Sequence, residues 1–312
     1  MKSIITLTMN PAIDKSASVA QVIADRKLYC NSPRFEPGGG GVNVSRAIRK
    51  LGGESTALLP CGGSTGKYLL ELLQQEGLTC RPIPVTGWTR ENLVVLEESS
   101  GRLFRFGMPG TPLDEKEWHS CLDVLAAVVP KPAYIVASGS LPPGVPDDFY
   151  AQVARIGKGL GARVIVDTSG NPLRLALQEG VYLIKPNIRE LGELIGSEPA
   201  DETNQQKITM EMVKGGKSEV VALSMGAGGV LLVSAGGCER LQTPVVPIKS
   251  KVGAGDSMVA GIVLSLARGN ELRDAVRFGV AAGAAAVMTP GSELCRREDV
   301  ERLYGQLIDE EI

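Results

Sequence analysis

The segment KVGAGDSMVAG (residues 251–261) sets glycines ahead of an apolar run, the pattern of a loop feeding the first turn of a helix. A helix start carries unpaired N–H groups and the positive end of the helix dipole, so it is a natural cradle for phosphate. Yet Asp256 stands at its mouth, where it repels a phosphate. Either the aspartate caps the helix, as any Gly-Asp before a helix can, or it does chemistry beside the anion.

Around this segment, short apolar runs alternate with helix-length amphipathic patterns. SIITLTM, STALLP, AYIVASG, ARVIVD, VYLIKPN, EVVALSMG and GVLLVSAGG read as strands. VNVSRAIRKLG, STGKYLLELLQQEG, DDFYAQVARIGKGLG and NPLRLALQEG read as helices, before a long helical C-terminal third. Such alternation predicts an α/β chain with a mostly parallel central sheet covered by helices on both faces. Its ligands belong beyond the carboxyl ends of the strands. Two stretches, about 12–36 and 81–107, break the rhythm, and the second holds NLVVLEESSGRLFRF, two alternating runs joined by a turn. We read both as parts of a small β-sheet lid on a single domain spanning 1–312. Connections beyond about 15 residues are uncommon without a function.

Composition narrows the function. The 312 residues are 43% hydrophobic and 22% charged, with 33 basic against 35 acidic side chains and a formal charge of −2. That balance argues against nucleic acid or a membrane surface as the main partner. No apolar run reaches the about 18 residues of a membrane span, and MKSIITLTMNPAIDK reads as a first strand rather than an export signal. The six cysteines lack a C-x-x-C pair, which predicts reduced thiols in a cytoplasmic protein and no zinc site. The one histidine, His119, lies in the charged segment DEKEWHSC with no nucleophile nearby, so serine–histidine chemistry drops out.

A second glycine cluster, EPGGGGVN (residues 36–43), opens a helix pattern. Four glycines let the backbone approach a polar ligand and expose its N–H groups, although such a run also serves as a plain turn. A dinucleotide fingerprint should follow the first strand directly. Here that strand runs into NPAID (residues 10–14), and the glycines come well downstream.

Taken in order and spacing, NPAID, FEPGGGG, WTREN, SGSLPPGV, LIKPN, VGAGDSM and RFGVAAG resemble the signatures of the PfkB (ribokinase-like) family of carbohydrate kinases. Within it the wording is nearest that of the PfkB-type 6-phosphofructokinases, while 1-phosphofructokinases and tagatose-6-phosphate kinases share much of the set. The resemblance implies a ribokinase-like three-layer fold and ATP- and magnesium-dependent phosphorylation of a phosphorylated ketohexose, with fructose 6-phosphate first. Tagatose 6-phosphate or fructose 1-phosphate is the alternative substrate, and a non-catalytic sugar-phosphate or nucleotide sensor the alternative class. A homodimer through the lid and a monovalent cation, potassium, are implied as well. The lid itself suits a reaction that must exclude water as a competing nucleophile.

Residue by residue, the resemblance makes Asp256 the base that takes the proton of the attacking hydroxyl, with the N–H groups of Gly253, Ala254 and Gly255 facing the transferring phosphoryl group. An aspartate is a weak base for an alcohol, tolerable because the transition state is loose. Asp14, Gly38, Gly39, Gly40, Asn43 and Gly139 are implied on the sugar side. Arg90 of WTREN would grip the distal phosphate bidentately, assisted by Lys27 and Arg105, including across a dimer contact. On the nucleotide side stand Lys185, Asn187 and Glu190, the last two on one helical face, arranging magnesium and phosphates through water. Ser224, Gly226, Gly228 and Gly229 resemble the family's ATP loop, which is no Walker A motif. Val280 and Ala284 either flank adenine or simply pack a helix. Carbonyls of Ser250, Val252, Ala286 and Gly291 are implied as cation ligands, while Thr289 and Glu293 stand where the pattern carries an amide and a basic residue.

Overall fold

The computed structural model describes residues 1–309. The chain opens with β1 (Ile4–Leu7), β2 (Ala12–Val19), β3 (Arg34–Gly38), α1 (Gly40–Lys50), β4 (Thr56–Cys61), α2 (Gly63–Gln75) and β5 (Thr79–Pro84). A hairpin of β6 (Arg90–Glu97) and β7 (Arg102–Phe106) follows, then α3 (Glu115–Ala126), β8 (Tyr134–Ser138), α4 (Phe149–Leu160), β9 (Arg163–Asp167), α5 (Gly170–Glu179) and β10 (Val181–Ile184). After α6 (Ile188–Ile195) and α7 (Glu202–Lys214) come β11 (Ser218–Ser224), β12 (Val230–Ser234) and β13 (Gly237–Leu241). Three helices close the described chain: α8 (Ala254–Ala267), α9 (Leu272–Val287) and α10 (Arg297–Asp309).

Among the described residues, nine strands form the main sheet in the order β13-β12-β11-β10-β9-β8-β1-β4-β5. From β11 to β5 every pairing is parallel, and only the β11–β12 and β12–β13 pairings are antiparallel. Period-two alternation sends side chains to opposite faces. Thus Tyr134 and Val136 of β8 enter one core with α1, α8 and α9, whereas Ile135 and Ala137 enter the other with α3, α4 and α5. Three layers result, as the sequence leads one to expect. Strand β1 lies between β4 and β8, so the chain order reverses there and opens a crevice at the strand ends.

A separate four-stranded sheet, β3-β2-β6-β7, draws its strands from the two stretches that broke the sequence rhythm. Strand β5, which overlaps the start of the second of those stretches, instead forms the edge of the main sheet. Parallel pairing of β2 with β6 sets Asp14 opposite Asn92 and Ala12 opposite Arg90. Antiparallel pairing of β2 with β3 sets Asp14 opposite Glu36. Polar groups from three strands are thereby gathered on one patch.

Helix α8 is buried from Ser257 to Ala267. It packs on α9 at glycines: a Cβ on Gly261 would lie 2.8 Å from the Gly279 Cα. Burying Val259, Ile262, Val263 and Leu264 is worth about 1.5–3 kcal/mol apiece. Forgoing a side-chain cap costs only about 1 kcal/mol. Packing therefore holds this helix rigid while its first turn stays open for function. Among the described residues, no helix is long and apolar enough to cross a membrane.

Candidate active site

Two helices point uncapped N-termini at the crevice. The N-cap of α8 is Gly253 at φ 73° and that of α1 is Gly39 at φ 107°, and neither end has a side-chain cap. Positive φ favours glycine at both positions. At Gly253 a Cβ would also lie 2.3 Å from the Leu294 Cδ2. The N–H groups of Ala254, Gly255 and Asp256 have no preceding turn to bond, nor do those of Gly40, Gly41 and Val42.

Asp256 sits in that first turn of α8, partly exposed on the crevice floor. The Asn43 Nδ2 of α1 donates to its Oδ2 at 2.9 Å, so the two helix starts meet through one hydrogen bond. Loss of hydration and then repulsion from Asp167 push the Asp256 pKa up to about 7, against the lowering effect of the Asn43 bond and Lys185. The sequence treats this residue as an ordinary weak carboxylate; its surroundings make it a stronger base.

Lys185, 7% exposed just past β10, lies 3.4 Å from the Asp167 carboxylate at the end of β9. Burial works to lower its pKa, but Asp167, Glu190 and Asp256 together raise it, so the ammonium stays charged. A Cβ on Gly255 would lie 3.1 Å from its Nζ, which explains the glycine between base and cation. Sequence reasoning missed Asp167. Its signal was a lone carboxylate ending an apolar parallel strand, where such sheets meet their ligands.

The glycine run is spent on close approach. A Cβ on Gly38 would lie 2.4 Å from an Asp14 oxygen, and one on Gly40 2.3 Å from the Ser138 Oγ and 2.7 Å from the Gly139 N. Asp14 accepts from the Asn92 Nδ2 at 2.8 Å, and Asn92 also accepts from the Met108 N–H. Asn92 belongs to the WTREN motif, where sequence reasoning gave a role to Arg90 alone. A cleft of about 160 Å³ joins Asp14, Asn92 and Arg105 from the small sheet to Ser250, Val252 and Gly291 from the C-terminal loops.

Arg90 donates to the Met108 and Asn10 carbonyls at 2.7 and 2.9 Å, leaving its buried Nε unpaired. Burial lowers its pKa while the Asp14 carboxylate opposes the shift. Lys27 is not brought to the cleft: it is exposed between β2 and β3, 5.1 Å from the Tyr29 ring centroid. Gly139, expected to offer substrate a backbone contact, has its N–H given to the Asp167 carbonyl. Its own carbonyl accepts from Tyr150 and Thr168, so what it leaves open is its bare Cα beside Gly40.

On the nucleotide side, Asn187 and Glu190 form a reciprocal cap on α6. Each side chain accepts from the other's backbone N–H at 2.9 Å. That leaves the Asn187 amide N–H groups and one Glu190 oxygen to face a ligand. Among the described residues no three carboxylates, histidines or cysteines cluster as a metal cage. The open Glu190 carboxylate oxygen is a hard donor of the kind magnesium takes, directly or through its retained water. Ser224 donates to the Pro186 carbonyl from N–H and hydroxyl alike, tying its loop to Asn187. Gly226–Gly228 make a 3-10 turn, and Arg240 clamps the Gly228 carbonyl at 2.9 and 3.1 Å. At Gly229, φ 86° and a Cβ position 2.2 Å from the Leu241 carbonyl require glycine. Val280 and Ala284 are buried in the core shared by α8 and α9.

The loops expected to hold the monovalent cation are stitched together. Ser250 donates its hydroxyl to the Gly291 carbonyl at 2.9 Å and accepts from the Val252 N–H. The Ala286 carbonyl accepts from the Thr289 N–H at 3.2 Å and its hydroxyl at 2.8 Å. Ser250, Val252 and Gly291 still line the cleft, whereas Ala286 does not.

Phosphoryl transfer is the chemistry that a carboxylate beside open N–H groups and a buried cation would serve together, and the layers that carry them make a ribokinase-like fold. The signature of the pfkB family carbohydrate kinases matches residues 3–299, and the chain belongs to that family. It is 46% identical over 301 residues to the ATP-dependent 6-phosphofructokinase isozyme 2 of Mycobacterium tuberculosis, covering 96% of this chain and 88% of that protein. Identity to the Escherichia coli isozyme 2 is 42%, over 98% and 99% of the two chains. The structure of E. coli phosphofructokinase-2 with potassium superposes at a TM-score of 0.95 over 99% of this chain and 100% of that one. The same protein with fructose 6-phosphate gives 0.93, again over 99% and 100%. A 1-phosphofructokinase of Borreliella burgdorferi is 32% identical over 99% of both chains.

Proposed function

We propose that this kinase transfers the γ-phosphoryl group of ATP to fructose 6-phosphate, giving fructose 1,6-bisphosphate, with Asp256 as the base. One observation carries the mechanism: the Asp256 carboxylate, held by the Asn43 amide at 2.9 Å, lies in the open first turn of α8, where burial and Asp167 raise its pKa and Lys185 opposes the shift. The identities favour the 6-phosphofructokinase isozyme 2 proteins, at 46% and 42%, over the 1-phosphofructokinase at 32%.

The sugar would lie in the cleft with its hydroxyls on Asp14 and Asn43 and the acceptor hydroxyl at Asp256. Asp256 takes that proton as the oxygen attacks phosphorus. The N–H groups of Gly253, Ala254 and Gly255 receive the charge of the transferring group, and Lys185 balances the nucleotide phosphates. Magnesium would be held by Glu190 and Asn187 through water, and it supplies charge neutralisation at the phosphates. Arg90, with an unpaired Nε, and Arg105, on the cleft wall, are the cations for the distal phosphate. Ser224, Gly226, Gly228 and Gly229 would cradle ATP, whose base lies near Val280 and Ala284. A monovalent cation would use carbonyls of Ser250, Val252 and Gly291 first, since Ala286 already accepts two bonds.

The small sheet serves as lid and as the dimer contact. Leu96, Leu103 and Phe106 are 37%, 47% and 49% exposed on β6 and β7, apolar surface that a second copy would cover. ADP release measured over a panel of sugars and phosphosugars tests the substrate. Fructose 6-phosphate is expected to give the highest kcat/KM, at least about tenfold above tagatose 6-phosphate or fructose 1-phosphate. A higher value for either of those overturns the substrate, and tight binding with no turnover on any of them overturns the enzyme.

A further inference from the structure

Arg46 is 2% exposed in the second turn of α1, and no step of the transfer uses it. Its Nε and Nη2 grip the Glu76 carboxylate at the end of α2, at 2.8 and 2.7 Å. The Nη1 group donates to the Pro37 carbonyl at 2.9 Å and the Ser292 carbonyl at 3.2 Å, and faces the Asn43 Oδ1 at 3.5 Å. Glu36, which accepts from the Ser292 hydroxyl at 2.8 Å, completes the cluster 3.8 Å from Nη2. One guanidinium thus ties the glycine strand β3, the 290–293 loop and α2 to the side chain that meets the base.

Stability alone does not account for this arrangement, because a buried ion pair is commonly matched by well-packed apolar residues. Orientation does. If the Asn43 amide were flipped, its NH2 would face the Arg46 NH2 and its oxygen would face the Asp256 carboxylate, two repulsive contacts. At 3.5 Å the Arg46 contact is long, so it acts by orienting the amide dipole rather than by bond strength.

We infer that Arg46 is a positioning residue for the base, holding the Asn43 amide so that its N–H is turned to Asp256. This rests on the reading of Asp256 as base. The charged groups facing Asp256 are Asp167 from β9, Lys185 beyond β10 and Asp14 from β2, while Asn43 is its donor from α1. Arg46→Lys keeps the charge and loses the planar fork.

The test is kcat/KM against pH, with fructose 6-phosphate and ATP, for Arg46→Lys, Asn43→Ala, their combination and Asp256→Asn, together with Tm. Arg46→Lys and Asn43→Ala are each expected to lower kcat/KM about tenfold or more. Each should move the acid limb up by about one pH unit, the worth of a hydrogen bond to a charged group. The combination should move it no further than Asn43→Ala alone. If Arg46→Lys does not fold, Glu76→Gln, which loosens the fork, should give a smaller shift of the same sign. An unmoved limb with activity falling only as Tm falls, or shifts that add in the combination, overturns the inference. Should Asp256→Asn retain turnover, the base reading fails first and takes this inference with it; an inactive Asp256→Asn with an unmoved Arg46→Lys limb sinks this inference alone.

Discussion

Asp256 owes its basicity to company rather than to chemical type. Burial and Asp167 make its charge costly, and Asn43 with Lys185 returns only part of that cost, so it titrates near 7. A protonated carboxyl cannot accept a proton, so with Asp256 as the proposed base kcat/KM is expected to fall as pH drops through that value and to level off above it. A plot of log kcat/KM for fructose 6-phosphate from about pH 5.5 to 8.5 should show a unit-slope acid limb near 7. A limb only near 6 would report the sugar phosphate's own second ionisation and count against the raised base. The aspartate was visible in the sequence because glycines and an apolar run frame it. Its basicity was not, since Asp167 and Asn43 lie far along the chain and reach it only through tertiary packing.

At the scale of elements, glycine does two different jobs in the two clusters. In α8, Gly253 and Gly255 clear room for Leu294 and Lys185 around an open helix start; in β3 and α1, Gly38 and Gly40 bring the sugar-side strand onto Asp14 and the end of β8. Adding a methyl at Gly38 would push on a carboxylate that Asn92 holds in place. Gly38→Ala is therefore expected to fold with a Tm near that of the parent and to raise KM for fructose 6-phosphate about tenfold or more, with KM for ATP little changed. An unchanged sugar KM would mean that Asp14 has slack. The pair Asn187 and Glu190 was legible as a spacing, but its local cause is a reciprocal helix cap that leaves one face of each group for ligand. Helix α7, with a mostly polar pattern, and the short edge strand β13 gave too little periodicity to be read in advance.

Across the whole molecule, the parallel sheet was legible because strands covered on both faces read as unbroken apolar runs. Which strand ends become neighbours was not, because that depends on chain order reversing at β1. The reversal brings the end of β8 against Gly40 and α1 against α8, where the Asn43 amide meets the Asp256 carboxylate. The most direct measurement is steady-state turnover of Asp256→Asn, with ATP binding and Tm recorded on the same preparation. Turnover at least about a hundredfold below the parent, with ATP affinity and folding intact, is the expected result. Turnover close to that of the parent would contradict the assignment of Asp256 as the base.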